Sequence, residues 1–478
     1  MSWDATTALV DETLLAGPGH EVRLWFGEPV DLATLRRLVT GRHAELTGLG
    51  LRPGGSMALW LPPSLEYVST LLAGWRAGAQ LVLLDYRLTR HEVGAALARL
   101  RPQVLVSAGG GVGSALRGHH PVTASLAALD GRPARTPHAL VQLSSGSTGP
   151  SKVIGRTAAS LAAEVERYGR IAGMPGHGER IVVLSSLTHT YGLVGGLLHG
   201  LARGAQVVLA DQLTSNGIIA AVSAAAPTVV LGVPFHLELM AAVTRAPALP
   251  RLTAAICGGE PVRPELPAAF ARRYGVRLGQ CYGMTEVGVI AMDPAGVFGP
   301  GAGPPAPGVS VRVDAGELLV GVEQTPYLGE ADPARWAGGW LRTRDAGTVD
   351  PDTGSVRVLG RLDSQVCVGG MKVDLGEVEH TLAGLPGVSE AIVVFDGGIE
   401  AYLALSAPAT PEGIDEELAG RLAPYKRPRQ LHVVPRLPRT PSGKRIRDLA
   451  SLRAAAGGNG AATAPGPGRP DVFARKGM

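Results

Sequence analysis

Between Leu143 and Lys152 the chain reads LSSGSTGPSK, a run of small residues closed by a lysine. Two glycines, four serines and a threonine make a flexible turn rich in exposed N–H groups and hydroxyls. Such a turn can wrap a polyanionic phosphate chain at close range. The residues before it, His138-Ala-Leu-Val-Gln-Leu143, read as a strand, and Ala158 onward reads as an amphipathic helix. The loop therefore sits at a strand's carboxyl end, where open α/β sheets bind ligands. Its spacing is not that of the Walker loop, G-x-x-x-x-G-K-[ST]. In isolation the same residues would also suit an ordinary polar loop.

Lysine usage gives the loop its weight. Of the 45 basic residues only five are lysines, at 152, 372, 426, 444 and 476. Lys152 and Lys444 each close a loop containing glycine and serine. A compact ammonium on a flexible stem enters a site between phosphate oxygens where a planar guanidinium fits badly. For Lys426 and Lys476, escape from a general drift towards arginine explains the residue equally well.

A chain of 478 residues should form more than one domain and can bury a large core. The net charge of +4 is spread thinly, and six Phe, six Trp and nine Tyr are too few for a basic, stacking nucleic-acid surface. Cys257, Cys281 and Cys367 are odd in number and far apart, as expected of reduced thiols in a cytoplasmic protein. The N-terminus, MSWDATTALVDE, lacks the basic-then-apolar order of a signal peptide. Ile218–Val233 is too short for a membrane span and is broken by Ser223 and Pro227, so it reads as a buried helix, turn and strand.

Short apolar strands and amphipathic helices alternate along the first three quarters. Strands are expected at Ser56–Leu61, Ala79–Leu84, Gln103–Ser107, Ile181–Ser185, Gln206–Ala210, Val229–Val233 and Ala254–Cys257. Helices are expected at Leu65–Ala77, Arg90–Leu100, Val194–Ala202, Ile218–Ala225, Phe235–Arg245 and Glu265–Tyr274. This pattern implies an α/β fold of parallel-rich sheets flanked by helices. The connector GPGAGPPAPG at 299–308 ends it, and Val309–Val322 then alternates like antiparallel strands, a small β-subdomain. The domain reading is a large N-terminal domain over 1–360, a hinge at 361–363, and a small, mobile α+β C-terminal domain over 364–454. From Ala455 to the end at 478, Ala, Gly and Pro dominate, and disorder is expected.

Several motifs now line up in order with the loop: CGGEPV at 257–262, CYGMTEVG at 281–288, WLRTRDAG at 340–347, GRLDSQVCVGGMKVDLGEVE at 360–379, APYKRPRQ at 423–430 and PRTPSGKRIR at 438–447. Together they resemble the adenylate-forming superfamily of acyl-CoA synthetases, luciferases and nonribosomal peptide adenylation domains. The resemblance covers about 300 residues, and Leu61–Leu88 also looks like the family's early helix-strand segment. It implies ATP-dependent activation of a small-molecule carboxylic acid to an acyl-adenylate with pyrophosphate release. Transfer to a thiol follows, either coenzyme A or the phosphopantetheine of an acyl carrier protein. An unusual oxyacid such as nitrite, or nucleotide binding without ligation, remains open. No nucleic-acid or membrane partner is expected.

The resemblance also implies residue roles. Ser144, Ser145, Gly146, Ser147, Thr148, Gly149 and Lys152 would hold the β- and γ-phosphates. Tyr282 would lie against adenine, Gly259 and Glu260 would border the base, and Thr285 would meet the α-phosphate. Glu286 would help hold Mg²⁺, a hard cation satisfied by one carboxylate plus phosphate oxygens and water. Asp345 and Arg361 would contact the ribose hydroxyls. Lys444 would stabilise charge growing at the α-phosphate, and the small domain would rotate about Asp363. Read without the motifs, Glu286 could cap a helix and Asp345 could serve a turn.

The acyl pocket of the family is lined by the segment resembling Leu187–Leu193, by Gly232–Phe235 and by the approach to Tyr282. His189, Tyr191, Gly192, Gly232 and Gly283 are its expected contributors here. His189 matches the H-x-Y-G form seen in aryl and fatty acyl ligases, although a hydrogen-bonded histidine at a helix start would read alike. Members that activate amino acids offer a carboxylate to the substrate ammonium. No Asp or Glu occurs between Arg180 and Asp211, which favours an aryl or short acyl acid. Four departures from the family pattern stand out. Pro150 is separated from Lys152 by Ser151, and Val153 follows where glycine is common. Arg344 replaces the usual glycine before the ribose aspartate. Cys367 stands where many acyl-CoA ligases carry lysine.

Overall fold

The computed structural model describes residues 3–110, 116–144, 152–260, 262–329, 332–362, 364–407, 409–438, 445–457 and 463–465. The chain divides into two compact units. The first holds residues 1–86, 97–144 and 152–362, and the second holds 87–96, 145–151 and 363–478.

Two sheets organise the first unit, and both are parallel inside and antiparallel at their edges. The six-stranded sheet runs in the order Ala124–Ala128, Val104–Ala108, Ser56–Trp60, Gln80–Leu83, His138–Ser144 and Lys152–Thr157. Only its two outermost pairs are antiparallel. The eight-stranded sheet runs Gly288–Asp293, Leu278–Met284, Ala254–Gly258, Val229–Gly232, Arg180–Val183, Gln206–Val208, Val22–Phe26 and Glu28–Asp31. Its antiparallel pairs are again the outermost two.

Burial on both faces explains why the central strands read as unbroken apolar runs. In Arg180–Val183 and the residue after it, Ile181 and Val183 face one core while Val182 and Leu184 face another. The first core also takes Met57, Leu59 and Leu81 from the six-stranded sheet, and so fills the space between the sheets. Helix Leu65–Arg76 is buried continuously from Tyr67 to Trp75 within it, and its start is fixed by Ser64, whose hydroxyl accepts from Tyr67 N–H at 3.0 Å. The second core lies under Ser215–Ala225, Pro234–Ala241 and Glu265–Tyr274.

One helix departs from the sequence reading. Expected at Val194–Ala202, it starts at Tyr191, and its first eight residues follow π-helical bonding before α-helix resumes at His199–Arg203. Its glycines discourage helix when counted singly, yet each is required by a close approach. A Cβ at Gly192 would lie 2.3 Å from the Ser186 carbonyl oxygen, one at Gly195 2.7 Å from the Tyr168 ring, and one at Gly196 2.8 Å from Val183. Beyond the connector, Val311–Asp314, Glu317–Gly321, Trp336–Ala337, Trp340–Val349 and Val356–Arg361 form the antiparallel β-subdomain.

The second unit carries a hairpin, Gln365–Val368 with Met371–Asp374, leading into helix Leu375–Ala383. Asp374 caps that helix, accepting from Gly376 N–H at 2.6 Å. Val388–Phe395, Ile399–Leu405 and Gln430–Val433 form a sheet packed on Val373, Val378, Leu382, Ile414 and Leu418. Past Ala455, where composition predicts disorder, helix Leu449–Gly457 runs on to 457 and Thr463–Pro465 pairs with Gln430–Val433. Buried Leu452 anchors the helix, and an open sheet edge receives the short strand.

Candidate active site

Two paired strands flank the glycine-serine stretch. His138–Ser144 (β1) and Lys152–Thr157 (β2) run antiparallel, and Ser144 faces Lys152 in register, so the ends of the loop are pinned together. Residues 145–151, with Ser145, Gly146, Ser147, Thr148 and Gly149, lie outside the described residues, as do Asp363 and Lys444. Strand β2 leads directly into helix Ala158–Gly169 (α1), whose N-cap Thr157 accepts from Ser160 N–H.

Thr285 and Glu286 occupy a three-residue hairpin turn between Leu278–Met284 (β3) and Gly288–Asp293 (β4). Val287 N–H donates to the Met284 carbonyl at 3.2 Å, and Gly288 closes the turn at φ +85°. The left-handed backbone at position 288, which only glycine adopts without strain, explains the glycine. Glu286 is buried and accepts from the Tyr327 hydroxyl at 2.9 Å, which in turn accepts from Arg335 Nη2 at 3.3 Å. Lys152 Nζ sits 5.6 Å from the centre of the Tyr327 ring. Backbone bonds from Gly155 to Pro326 and from Leu328 to Val153, each 2.8 Å, lash the Tyr327 segment to β2. Burial and the adjacent Glu286 carboxylate push the Tyr327 phenol far up, so it stays a donor.

Asp345 and Arg361 face each other across Trp340–Val349 (β5) and Val356–Arg361 (β6). Alternation along β5 turns Leu341, Thr343 and Asp345 inward. Buried Asp345 accepts from Tyr282 Oη at 2.7 Å through Oδ2 and from Arg361 Nη1 at 2.9 Å through Oδ1. The Tyr282 phenol is raised well above its ordinary value by burial and by that carboxylate. Arg344 adopts φ +62°, the left-handed region, which explains why glycine is the usual residue at this place.

His189 enters the π-helical segment, with Nε2 3.4 Å from Asp85 Oδ2. Thr188 Oγ1 reaches the same oxygen at 3.4 Å, and Gln142 Nε2 donates to the Thr188 carbonyl at 2.9 Å. Tyr191 Oη donates to the Ile256 carbonyl at 3.0 Å, so the hydroxyl is already engaged. Gly232 ends its strand. Gly259 takes φ +87° with Glu260 after it, and a Cβ on Gly283 would lie 2.6 Å from the Gly288 carbonyl oxygen. The structure thus gathers Glu286 and Lys152 around Tyr327, and Tyr282 and Arg361 around the Asp345 carboxylate. Lys426 instead pairs with Glu377 and Glu92 inside the second unit.

Sequence reasoning passed over Tyr327, Arg335, Asp85, Arg156 and Glu164. The last two form a buried ion pair, 2.8 Å between Arg156 Nη2 and Glu164 Oε2, with side chains 5% and 0% exposed. Burial pushes the Glu164 carboxyl up while Arg156 opposes that shift. A lone glutamate inside an otherwise apolar helical face, eight residues after an arginine, was the available signal. Among the described residues no group of three or more His, Cys, Asp or Glu could hold a metal by itself, and no helix is long and apolar enough to cross a membrane.

The sequence matches the AMP-binding enzyme family over residues 42–330 and the AMP-binding enzyme C-terminal domain over residues 377–444. The chain belongs to the AMP-binding enzyme family. Feruloyl-CoA synthase of an Amycolatopsis species resembles this AMP-binding enzyme at 31% identity over 471 aligned positions, covering 87% of this chain and 92% of that one. The 4-hydroxybenzoate–CoA/benzoate–CoA ligase of Rhodopseudomonas palustris is 27% identical and covers 99% and 98% of the two chains. Among solved structures, the amide bond synthetase of Marinactinospora thermotolerans matches with a TM-score of 0.74 and 27% identity, covering 93% of this chain and 98% of that one. The o-succinylbenzoate CoA synthetase of Bacillus subtilis matches with a TM-score of 0.78 over 94% and 98%. At 23% identity it speaks for the fold.

Proposed function

We propose that this AMP-forming acid–thiol ligase activates an aryl carboxylic acid and passes the acyl group to coenzyme A. In the first half-reaction a carboxylate oxygen attacks the α-phosphorus of ATP and the bond to pyrophosphate breaks, leaving an acyl-adenylate. In the second, a thiolate attacks the acyl carbon and AMP departs with the bonding electron pair. Ser144–Gly149 and Lys152 hold the β- and γ-phosphates, Thr285 contacts the α-phosphate, and Lys444 donates to the oxygens that gain charge. Tyr282 packs on adenine beside Gly259 and Glu260, and Asp345 with Arg361 receives the ribose hydroxyls. His189, Tyr191, Gly192, Gly232 and Gly283 border the acid, and Asp363 is the hinge between half-reactions.

Glu286 fits a magnesium ligand. One hydrogen bond from Tyr327 leaves further acceptor positions on its carboxylate, and Mg²⁺ is commonly held by one or two carboxylates with substrate phosphates. Bound there, Mg²⁺ would neutralise phosphate charge.

The observation that sets α-amino acids aside is the pocket segment itself. It has no Asp or Glu between Arg180 and Asp211, and the carboxylate that approaches it, Asp85, faces His189 and Thr188. Relatives named for feruloyl and benzoate substrates support the aryl class. The test is a panel of acids scored by pyrophosphate release, with product masses taken beside coenzyme A, a phosphopantetheinyl carrier protein, and neither. Aryl acids with a CoA thioester product are expected. An α-amino acid as the best substrate overturns the acid class, and acyl-carrier product alone overturns the acceptor.

A further inference from the structure

The Arg156–Glu164 pair joins two parts of the nucleotide site that are remote in sequence. Arg156 lies on β2, four residues after Lys152 and the pinned loop. Glu164 lies nearly two turns into α1, on its buried face. Arg156 Nε donates to Ser160 Oγ at 3.1 Å and Nη2 to the Ser160 carbonyl at 3.2 Å, besides the 2.8 Å contact with Glu164 Oε2. The other carboxylate oxygen, Oε1, accepts from Val289 N–H at 3.2 Å.

That second contact falls where the hairpin bearing Thr285 and Glu286 is irregular. Pairing between β3 and β4 slips between Tyr282–Ala291 and Gly283–Val289. Val289 gives its N–H to Glu164, and Gly288 leaves no room between the turn and the carboxylate. A Cβ there would lie 2.1 Å from Glu164 Cδ and Oε1. An isolated carboxylate with no exposure costs several kcal/mol, which Arg156, the Val289 N–H and the charge of Arg167 offset. Replacing such a pair by apolar residues is often neutral or stabilising, so stability alone is a weak reason for it.

We infer that Glu164 and Arg156 are positioning residues for adenylation, a buried tie that fixes the Thr285–Glu286 turn relative to the strand leaving the phosphate loop. The inference rests on the reading of that turn as the α-phosphate and Mg²⁺ contact. Neither residue touches substrate. Both act through the backbone at Val289 and at Ser160.

The test compares Glu164→Gln, the apolar pair Arg156→Leu/Glu164→Met, and Thr285→Ala with the full-length protein. Four quantities are measured: pyrophosphate-exchange kinetics, the acid KM, the melting temperature, and the calorimetric Kd for ATP with and without Mg²⁺. The apolar pair is expected to melt near the unaltered protein. Its MgATP kcat/KM should nonetheless fall by roughly 10–100-fold, the scale for a group misplaced by about 1 Å. Its acid KM should stay within about two-fold, and most of the gain in ATP affinity on adding Mg²⁺ should be lost. Glu164→Gln should show the same kinetic pattern with a lower melting temperature, because Arg156 is left buried without its partner. An apolar pair with normal melting and normal MgATP parameters, beside an impaired Thr285→Ala, overturns the tie. Unimpaired Thr285→Ala overturns the reading of the turn and the tie with it.

Discussion

Changing Asp345 to asparagine tests the ribose assignment with little disturbance to the fold. The carboxylate now accepts the Tyr282 hydroxyl at 2.7 Å and Arg361 Nη1 at 2.9 Å. An amide can keep its oxygen towards Arg361 and turn its nitrogen towards Tyr282, whose phenol then accepts instead of donating. Shape and burial survive, and the charge is lost. A hydrogen bond to a charged acceptor contributes about 1.5–3 kcal/mol against about 1 kcal/mol for a neutral one. A ribose hydroxyl that donates to Asp345 therefore loses about 0.5–2 kcal/mol, or roughly 2–30-fold in ATP affinity at ~1.4 kcal/mol per decade. Asp345→Asn should raise the ATP KM in pyrophosphate exchange by that factor while the acid KM holds. Tyr282→Phe, which keeps the aromatic face and loses only the hydroxyl already engaged by Asp345, should change the ATP KM less. An ATP KM within two-fold of normal in Asp345→Asn, at an unchanged melting temperature, would refute the ribose contact.

Three further outcomes follow from single residues. Arg344→Gly should raise the melting temperature without altering the ATP KM. It relieves a left-handed residue costing about 1–2 kcal/mol against an unfolded-state penalty of ~0.4–1 kcal/mol, and a lower melting temperature would contradict the strain. His199 is buried, its Nε2 donates to the Pro175 carbonyl at 3.0 Å, and burial pushes its pKa down to about 4. The stability this provides is complete above the unfolded value of 6.5 and is lost as pH falls from 6.5 towards 4. The span is on the order of 3 kcal/mol, and His199→Gln should flatten that part of the melting-temperature profile. An unchanged slope would show that other groups titrate there. Lys444→Ala should lose roughly 10²–10³ in adenylation rate, with little rescue by arginine, and near-normal exchange would remove Lys444 from the chemistry.

Legibility tracked the physical origin of each signal. Glu265–Tyr274 was readable to the residue because an amphipathic stripe ends at a left-handed glycine, Gly275. The central strands were readable because burial on both faces leaves only apolar residues. Val22–Phe26 escaped notice: it neighbours Glu21 and Glu28 and pairs near a sheet edge, so its sequence lacks the apolar run. The π-helical Tyr191–Leu198 segment was read short because glycine propensity misleads where packing demands glycine. Tyr282, Thr285, Glu286, Asp345 and Arg361 were nameable from motifs. Tyr327, Asp85 and Arg335 were not, because their meaning lies in what faces them: Tyr327 matters through Glu286, 41 positions away in sequence. Pairing across such a distance leaves no periodic trace in one sequence.

Position 288 shows how a buried charge can dictate which residue a neighbouring backbone position admits. A side chain there meets two independent barriers, a left-handed backbone and the Glu164 carboxylate standing where a Cβ would go. Losing Glu164 lifts only the second and strands Arg156. No single substitution opens position 288, and none at 164 alone profits from the space. The two sites are therefore coupled: the carboxylate at 164 and a side chain at 288 would occupy the same space.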